Sequence, residues 1–517
     1  MTAPIDDHFA NTRELLDAAA ATHGSTDAYV ADGRRISFAD WVSRARRVAG
    51  LLHDSGLAKG DVVALAMPSG VTFATYYAAA AMMGIVTTGL NPRLGAGDAR
   101  SILSQAGARL VITDKTAASA PIPPEFASVT TDELESTAPV IDSPPLADVS
   151  RSDPVVIIFS SGTTGKPKGA WFDADNLAAM ARAAGVMSAP YDRRMTSTPF
   201  SHAGYLSKLW DQLIWGTTLV IPPAPWTAQG MARTLTEERV TVGGAVPTQW
   251  AKLLALPGVG RSMFPYLRVG VVASAPASPD LVRRAAELIG VPLIVRYAMT
   301  ECPTVCGTEP DDSPEVQAAT VGRPQVGVAL RVTDDEGMAV PAGTIGRIRL
   351  AGDCLMRGYW NDADLTREAT DADGHFVTSD LGRLTADGDL ELVGRAGDMY
   401  IRGGFNVQPV EVEQHLARHP GVHSAAVVGH PAAVIGEIGV AFIVARDPSA
   451  PPTLAELRDW VSAELADYKA PDHRVLLAEI PRTPLEKVDR VRLRQLLSDN
   501  PPPPRGTAER PSRQRSI

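Results

Sequence analysis

The stretch Phe159-Ser160-Ser161-Gly162-Thr163-Thr164-Gly165-Lys166-Pro167-Lys168-Gly169 gathers four hydroxyls, three glycines and two lysines directly after the apolar run Val155–Phe159. Glycines let backbone N–H groups converge on an anion, hydroxyls add donors and lysines add positive charge, which is phosphate-binding chemistry. A Walker A loop would need glycine at position 160 and Ser or Thr after Gly165-Lys166, where Ser160 and Pro167 stand instead. Pro167 also argues against a helix that begins at the lysine in the P-loop manner.

Other groups carry chemistry further along the chain. Tyr297-Ala298-Met299-Thr300-Glu301 supplies an aromatic face for stacking a base, a hydroxyl for a phosphate and a carboxylate that suits Mg2+. Thr378-Ser379-Asp380 offers a carboxylate able to accept both hydroxyls of a ribose. Gly394-Arg395-Ala396-Gly397-Asp398-Met399-Tyr400-Ile401-Arg402-Gly403-Gly404 has the glycine content of a hinge and charges suited to a nucleotide. Near the end, Pro481-Arg482-Thr483-Pro484-Leu485-Glu486-Lys487 presents a lysine between prolines, just before the last helix. Cys302 and Cys306 read as incidental thiols, because no matching Cys/His group accompanies them.

The elements that must hold these residues follow from patterning. A chain of 517 residues exceeds what one core usually organises, so two or more domains are expected. Apolar runs alternate with alanine-rich helical stretches: helix Phe38–Ser55 with strand Val62–Met67, helix Ala99–Gln105 with strand Ala108–Thr113, helix Leu281–Gly290 with strand Pro292–Tyr297. That alternation predicts α/β layers with largely parallel sheets. The charge-free run from Val62 to Pro92 is broken by Pro68-Ser69-Gly70, Gly84 and Gly89, so it reads as strand, core helix and strand rather than a membrane span. Strands crowd around Val328–Thr333, Gly346–Ala351 and Leu390–Val393, and a small α+β domain follows. A net charge of −10 disfavours a nucleic-acid partner. Three cysteines and an N-terminus without a signal-peptide pattern lead to the expectation of a reduced, cytoplasmic protein.

In this order and at these separations, the segments resemble the adenylate-forming superfamily, in its acyl-CoA synthetase (AMP-dependent ligase) branch, from about residue 10 to about residue 495. The resemblance implies a large N-terminal domain over 1–397, built of two α/β lobes plus a distorted β-barrel. A small mobile α+β domain over 398–495, hinged at Asp398, and a disordered Pro/Arg-rich tail over 496–517 would follow. It implies ATP, Mg2+ and CoA as cofactors. Ser160, Ser161, Gly162, Thr163, Thr164, Gly165, Lys166 and Lys168 would cradle the triphosphate, and Ser274, Ala275 and Pro276 would line the adenine pocket. Tyr297 would stack on the base, Thr300 touch the α-phosphate, Glu301 hold Mg2+, and Asp380 and Arg395 support the ribose. Arg402 would meet the nucleotide, Gly403 and Gly404 border a pantetheine tunnel, and His202 stand where acyl pocket and tunnel join. Lys487 would bridge the carboxylate and the α-phosphate during adenylation.

The implied activity is conversion of a hydrophobic carboxylic acid, ATP and CoA to acyl-CoA, AMP and pyrophosphate through an acyl-adenylate, by a monomer or homodimer. Small apolar stretches at 203–206, 242–245 and 269–272 suggest a roomy pocket for a medium-to-long fatty, aryl or polycyclic acid. Asp211 is a candidate for receiving a substrate ammonium, or else a helix-surface aspartate. Where the family has Thr-His after the phosphate loop this chain has Asp173-Ala174, with a bulky Trp171 before them. Ala298, Ser379, Ala273-Ser274 and Glu486 replace family glycines. A second reading therefore has weakened adenylation with thioester formation spared, and a third has a carrier protein as acceptor in place of CoA.

Overall fold

The charge-free run resolves into strand Val62–Ala66, helix Val71–Met83 and strand Val86–Gly89, nearly all of it buried. Gly84 ends the helix in the left-handed conformation (φ 67°) and turns the chain back, so that the two strands pair in parallel. Parallel strands are covered on both faces, which is why this stretch reads as continuously apolar. The computed structural model describes residues 3–501 except 32, 92–93, 115–121, 138–147, 161–166, 197, 274–277, 403–404, 433–435 and 484–486. Among the described residues no helix is long and apolar enough to cross a membrane.

The chain divides into two compact units, 1–378 with 384–391, and 379–383 with 392–517. In the first, a seven-stranded sheet runs in the order Gly358–Tyr359, Lys168–Asp173, Pro154–Ser160, Val86–Gly89, Val62–Ala66, Leu110–Thr113, Ser128–Thr130. Its middle is parallel, and its edge turns antiparallel where Ser160 faces Lys168. The phosphate-loop sequence therefore joins two antiparallel strands, with no helix after Pro167. A nine-stranded sheet orders Arg323–Pro324, Cys306–Gly307, Leu293–Tyr297, Val269–Ala273, Val242–Ala245, Arg193–Met195, Thr218–Ile221, Asp27–Ala31, Arg34–Ser37. Where the resemblance implies a distorted barrel there is a four-stranded sheet that begins with Val328–Thr333 against Gly346–Gly352.

Parts of the small apolar stretches serve packing. A Cβ on Gly270 would overlap Leu293 and lie 2.8 Å from Trp250, so this glycine lets the tryptophan approach the strand closely. Tyr205 and Leu206 are buried, with Tyr205 stacked on Phe200 at 3.5 Å and bonded to Tyr29.

The second unit is built on the hairpin Val422–Ala432 and Gly436–Ala445. Side-chain alternation splits its core in two: Val427, Ala441 and Ile443 meet Val412, Leu416, Leu457 and Val461, while Ala426, Val428 and Phe442 meet Leu493 and Leu497. Helices Pro409–Leu416 and Leu454–Glu464 thus cover one face and helix Arg490–Asp499 the other. Residues 496–499, expected in the tail, belong to that last helix because Leu497 is needed in the core. The rest of the expected tail from residue 502 lies outside the described residues.

Candidate active site

Strand Lys168–Asp173 leaves the phosphate-loop sequence at a sheet edge, and the segment 356–360 straps it to the Glu301 turn. Gly358 and Tyr359 pair antiparallel with Trp171 and Ala170. The Trp360 N–H donates to the Gly169 carbonyl at 2.7 Å and the Arg357 N–H to that of Trp171 at 3.0 Å. The Met356 N–H donates to the Glu301 carbonyl at 2.8 Å. On this strap the buried Tyr359 donates its hydroxyl to Glu301 Oε1 at 3.0 Å, and Lys168 Nζ stands 5.7 Å from the centre of its ring. Burial and the neighbouring Glu301 charge push the Tyr359 phenol far up, so it stays a donor.

Tyr297 ends strand Leu293–Tyr297 and is buried. The turn after it is closed by Met299 N–H to the Cys302 carbonyl (3.1 Å) and Val305 N–H to the Tyr297 carbonyl (3.2 Å), and it presents Thr300 and Glu301 half-buried. His202 caps the short helix Ala203–Leu206, its carbonyl accepting from the Leu206 N–H at 2.9 Å. Ser160 donates weakly to the Lys168 carbonyl at 3.5 Å across the mouth of the loop. Ser161, Gly162, Thr163, Thr164, Gly165, Lys166, Ser274, Ala275, Pro276, Gly403 and Gly404 lie outside the described residues.

Within the second unit, Asp380 and Arg395 come together: Arg395 Nε donates to the buried Asp380 Oδ1 at 2.8 Å. Asp398 receives Arg490 at 3.2 Å and Arg494 at 3.3 Å, both from the last helix. Arg402 forks onto Asp472 with two bonds of 2.7 Å, so its guanidinium braces the hairpin there. Lys487 is exposed on a turn pinned by the Thr483 N–H to its carbonyl at 2.8 Å and by the bridge between Arg482 and Val488.

The departures from family pattern have structural jobs. Asp173 is buried, caps helix Ala174–Arg182 by accepting from the Asn176 N–H at 2.9 Å, and takes Arg357 Nε at 2.6 Å. Trp171 packs edge-to-face on Trp360 at 6.1 Å over Val62, Val86 and Ile157. Asp211, a candidate for receiving an ammonium, is instead fully buried and bound by Arg194 Nη1 and the Ser188 hydroxyl, each at 2.6 Å. Cys302, Cys306 and Cys354 are buried and free, and burial pushes the Cys354 thiol up to about 11. Tyr359 escaped the sequence reading. Its signal was Arg357-Gly358-Tyr359-Trp360, a glycine set among aromatics and a cation where a strand edge must approach closely.

Comparison with known proteins accounts for this arrangement. The family model described as AMP-binding enzyme matches residues 16–360, and that of the AMP-binding enzyme C-terminal domain matches 411–487. The long-chain-fatty-acid–CoA ligase FadD13 of Mycobacterium tuberculosis is 31% identical, covering 90% of this chain and 94% of its own. The sulfoacetate–CoA ligase of Cupriavidus necator is 31% identical over 89% of this chain and 92% of its own. Among solved structures, the o-succinylbenzoate CoA synthetase of Bacillus subtilis, in complex with its acyl-adenylate intermediate, superposes with a TM-score of 0.84. It is 25% identical and covers 94% of this chain and 98% of that one. The chain belongs to the AMP-binding enzyme family, in the acyl-CoA synthetase branch of the adenylate-forming enzymes, and is an acid–thiol ligase.

Proposed function

We propose that this ligase activates a carboxylic acid with ATP and passes the acyl group to CoA in two steps, with the site residues in the roles the resemblance implies. The observation that carries the reading is the strap: it fixes Lys168 at the exit of the phosphate-loop sequence and Glu301 on the neighbouring turn through one tyrosine. A carboxylate and a triphosphate repel, so adenylation needs positive charge at the α-phosphate, and Lys487 is the residue proposed to bring it. The carboxylate oxygen bonds to the α-phosphorus and pyrophosphate leaves. The thiol of CoA then bonds to the acyl carbon, its proton is lost, and AMP leaves carrying the acid's oxygen. Because the lysine serves only the first step, the second unit is proposed to reorient about Asp398 between steps. Asp380 and Arg395, held together, are proposed to receive the ribose.

Glu301 fits Mg2+ by its chemistry. It is a hard oxygen donor whose Oε1 is oriented by Tyr359, the outer-shell bond that ligating carboxylates ordinarily have. When bound, the ion would neutralise phosphate charge. Tyr359→Phe is expected to raise the Mg2+ concentration needed for half-maximal ATP–pyrophosphate exchange by about tenfold. An unchanged Mg2+ dependence would remove Tyr359 from this role.

The acid is the finer question. A hydrophobic substrate has the support of the long-chain relative, whereas the sulfoacetate relative takes a short, doubly charged one. A screen of acids, following loss of CoA thiol together with AMP, tests the reading. Equal amounts of AMP, pyrophosphate and thioester are expected for the right acid, and ADP as the nucleotide product would contradict it. A carrier protein as the true acceptor would appear as acid-dependent exchange with no CoA thiol consumed.

A further inference from the structure

Arg296 holds a guanidinium that, among the described residues, makes no hydrogen bond. It is the penultimate residue of strand Leu293–Tyr297, at the carboxyl end of a parallel sheet, where doubly wound α/β folds take their ligands. Its Nε, Nη1 and Nη2 are all enclosed, and among the described residues none finds a hydrogen-bond partner. The fold makes room for it: Gly307 stands opposite in register, and a Cβ there would overlap Nη1, while a Cβ on Gly185 would lie 3.6 Å from Nη2. A buried guanidinium with five unused donors is costly, and such a group persists where something else satisfies it.

A second cation lies near. Lys208, which precedes helix Leu209–Trp215, is enclosed, and among the described residues its ammonium reaches Thr304 Oγ1, at 3.4 Å. It is close enough to Arg296 and Arg194 to be repelled by both. Burial pulls the Lys208 ammonium and the Arg296 guanidinium below their ordinary values, with Asp211 opposing the shift in the first and Glu309 in the second. Arg194 is already spent on Asp211.

We propose, resting on the ligase reading above, that the acid activated here carries a second anionic group, a carboxylate or sulfonate, received by Arg296 and Lys208. The reacting carboxylate is left to adenylation, and the second anion fixes which acid is accepted. A guanidinium takes either oxyanion through paired N–H donors, and a monoacid would leave those donors buried and unanswered.

The test compares wild type with Arg296→Met on straight-chain monocarboxylates, α,ω-dicarboxylates and ω-sulfocarboxylates of matched length, by CoA thioester formation. Wild type is expected to favour a doubly charged acid by about 100-fold in kcat/KM over its matched monoacid, and R296M to lose that preference while keeping or gaining activity on monoacids. R296M should also melt no lower than wild type, since it removes an unanswered buried charge. A wild type that favours monoacids, or an R296M that lowers both series alike, would overturn the proposal. Should R296M fail to fold, the wild-type ratio decides alone, with Lys208→Met as the second variant expected to narrow it. A preference for monoacids leaves the ligase reading standing while this inference fails, whereas no thioester with any acid of the wider screen would fail both, which separates the two failures.

Discussion

Lys487→Ala is expected to lower acid-dependent ATP–pyrophosphate exchange by about 1,000-fold, while thioester formation from a supplied acyl-adenylate and CoA stays within about twofold of wild type. The asymmetry follows from where charge develops. In adenylation an anionic oxygen approaches an anionic phosphate, and the only relief comes from cations placed there beforehand. In thioester formation the electrophile is already made and AMP departs as a stabilised anion. Lys487 suits a role limited to one step: it is exposed, and the backbone beside it is held by the Thr483 N–H to the Lys487 carbonyl and by the bridge between Arg482 and Val488. Lys487→Arg is not expected to restore exchange, because the planar fork cannot replace a compact ammonium on a fixed turn. Equal loss in both half-reactions would mean that the residue acts through folding.

The largest stability effect is expected away from the chemistry. Arg194→Met should destabilise the first unit by about 3–5 kcal/mol, read from its denaturant transition, because it strands the Asp211 carboxylate in a dry interior. Arg194 gives Asp211 a bond of 2.6 Å and places further bonds on the Met187 carbonyl (2.8 Å) and the Ser188 hydroxyl (2.7 Å). Ser188 in turn donates to Asp211 at 2.6 Å. The double variant R194M/D211L should recover most of the loss, since a buried pair replaced by apolar groups is close to neutral. A loss below about 1 kcal/mol for the single change would show that water reaches this aspartate.

These two residues also mark what a sequence can disclose. The strand–helix–strand run from Val62 was legible because buried parallel strands are apolar throughout and Gly84 marks the helix end. Lys487 and Glu301 could be named as candidates because the motifs that single them out are local in sequence. Asp211 was not legible: whether it faces solvent or Arg194 depends on a strand 17 positions away in the chain. Tyr359 was hidden for the same reason, its contact with Glu301 spanning 58 positions. Gly270 looked like the lining of a pocket, yet its missing side chain makes room for Trp250. Small residues mark a close approach, and only the fold tells what approaches.

The central claim is that the acid itself attacks the α-phosphorus. Its most direct measurement uses an acid labelled with 18O in the carboxylate, chosen as the best substrate of the thioester screen, with mass analysis of AMP and pyrophosphate after turnover. One labelled oxygen in each AMP and none in pyrophosphate is predicted. AMP without label, or label in a phosphate product, would contradict adenylation as the route to the thioester.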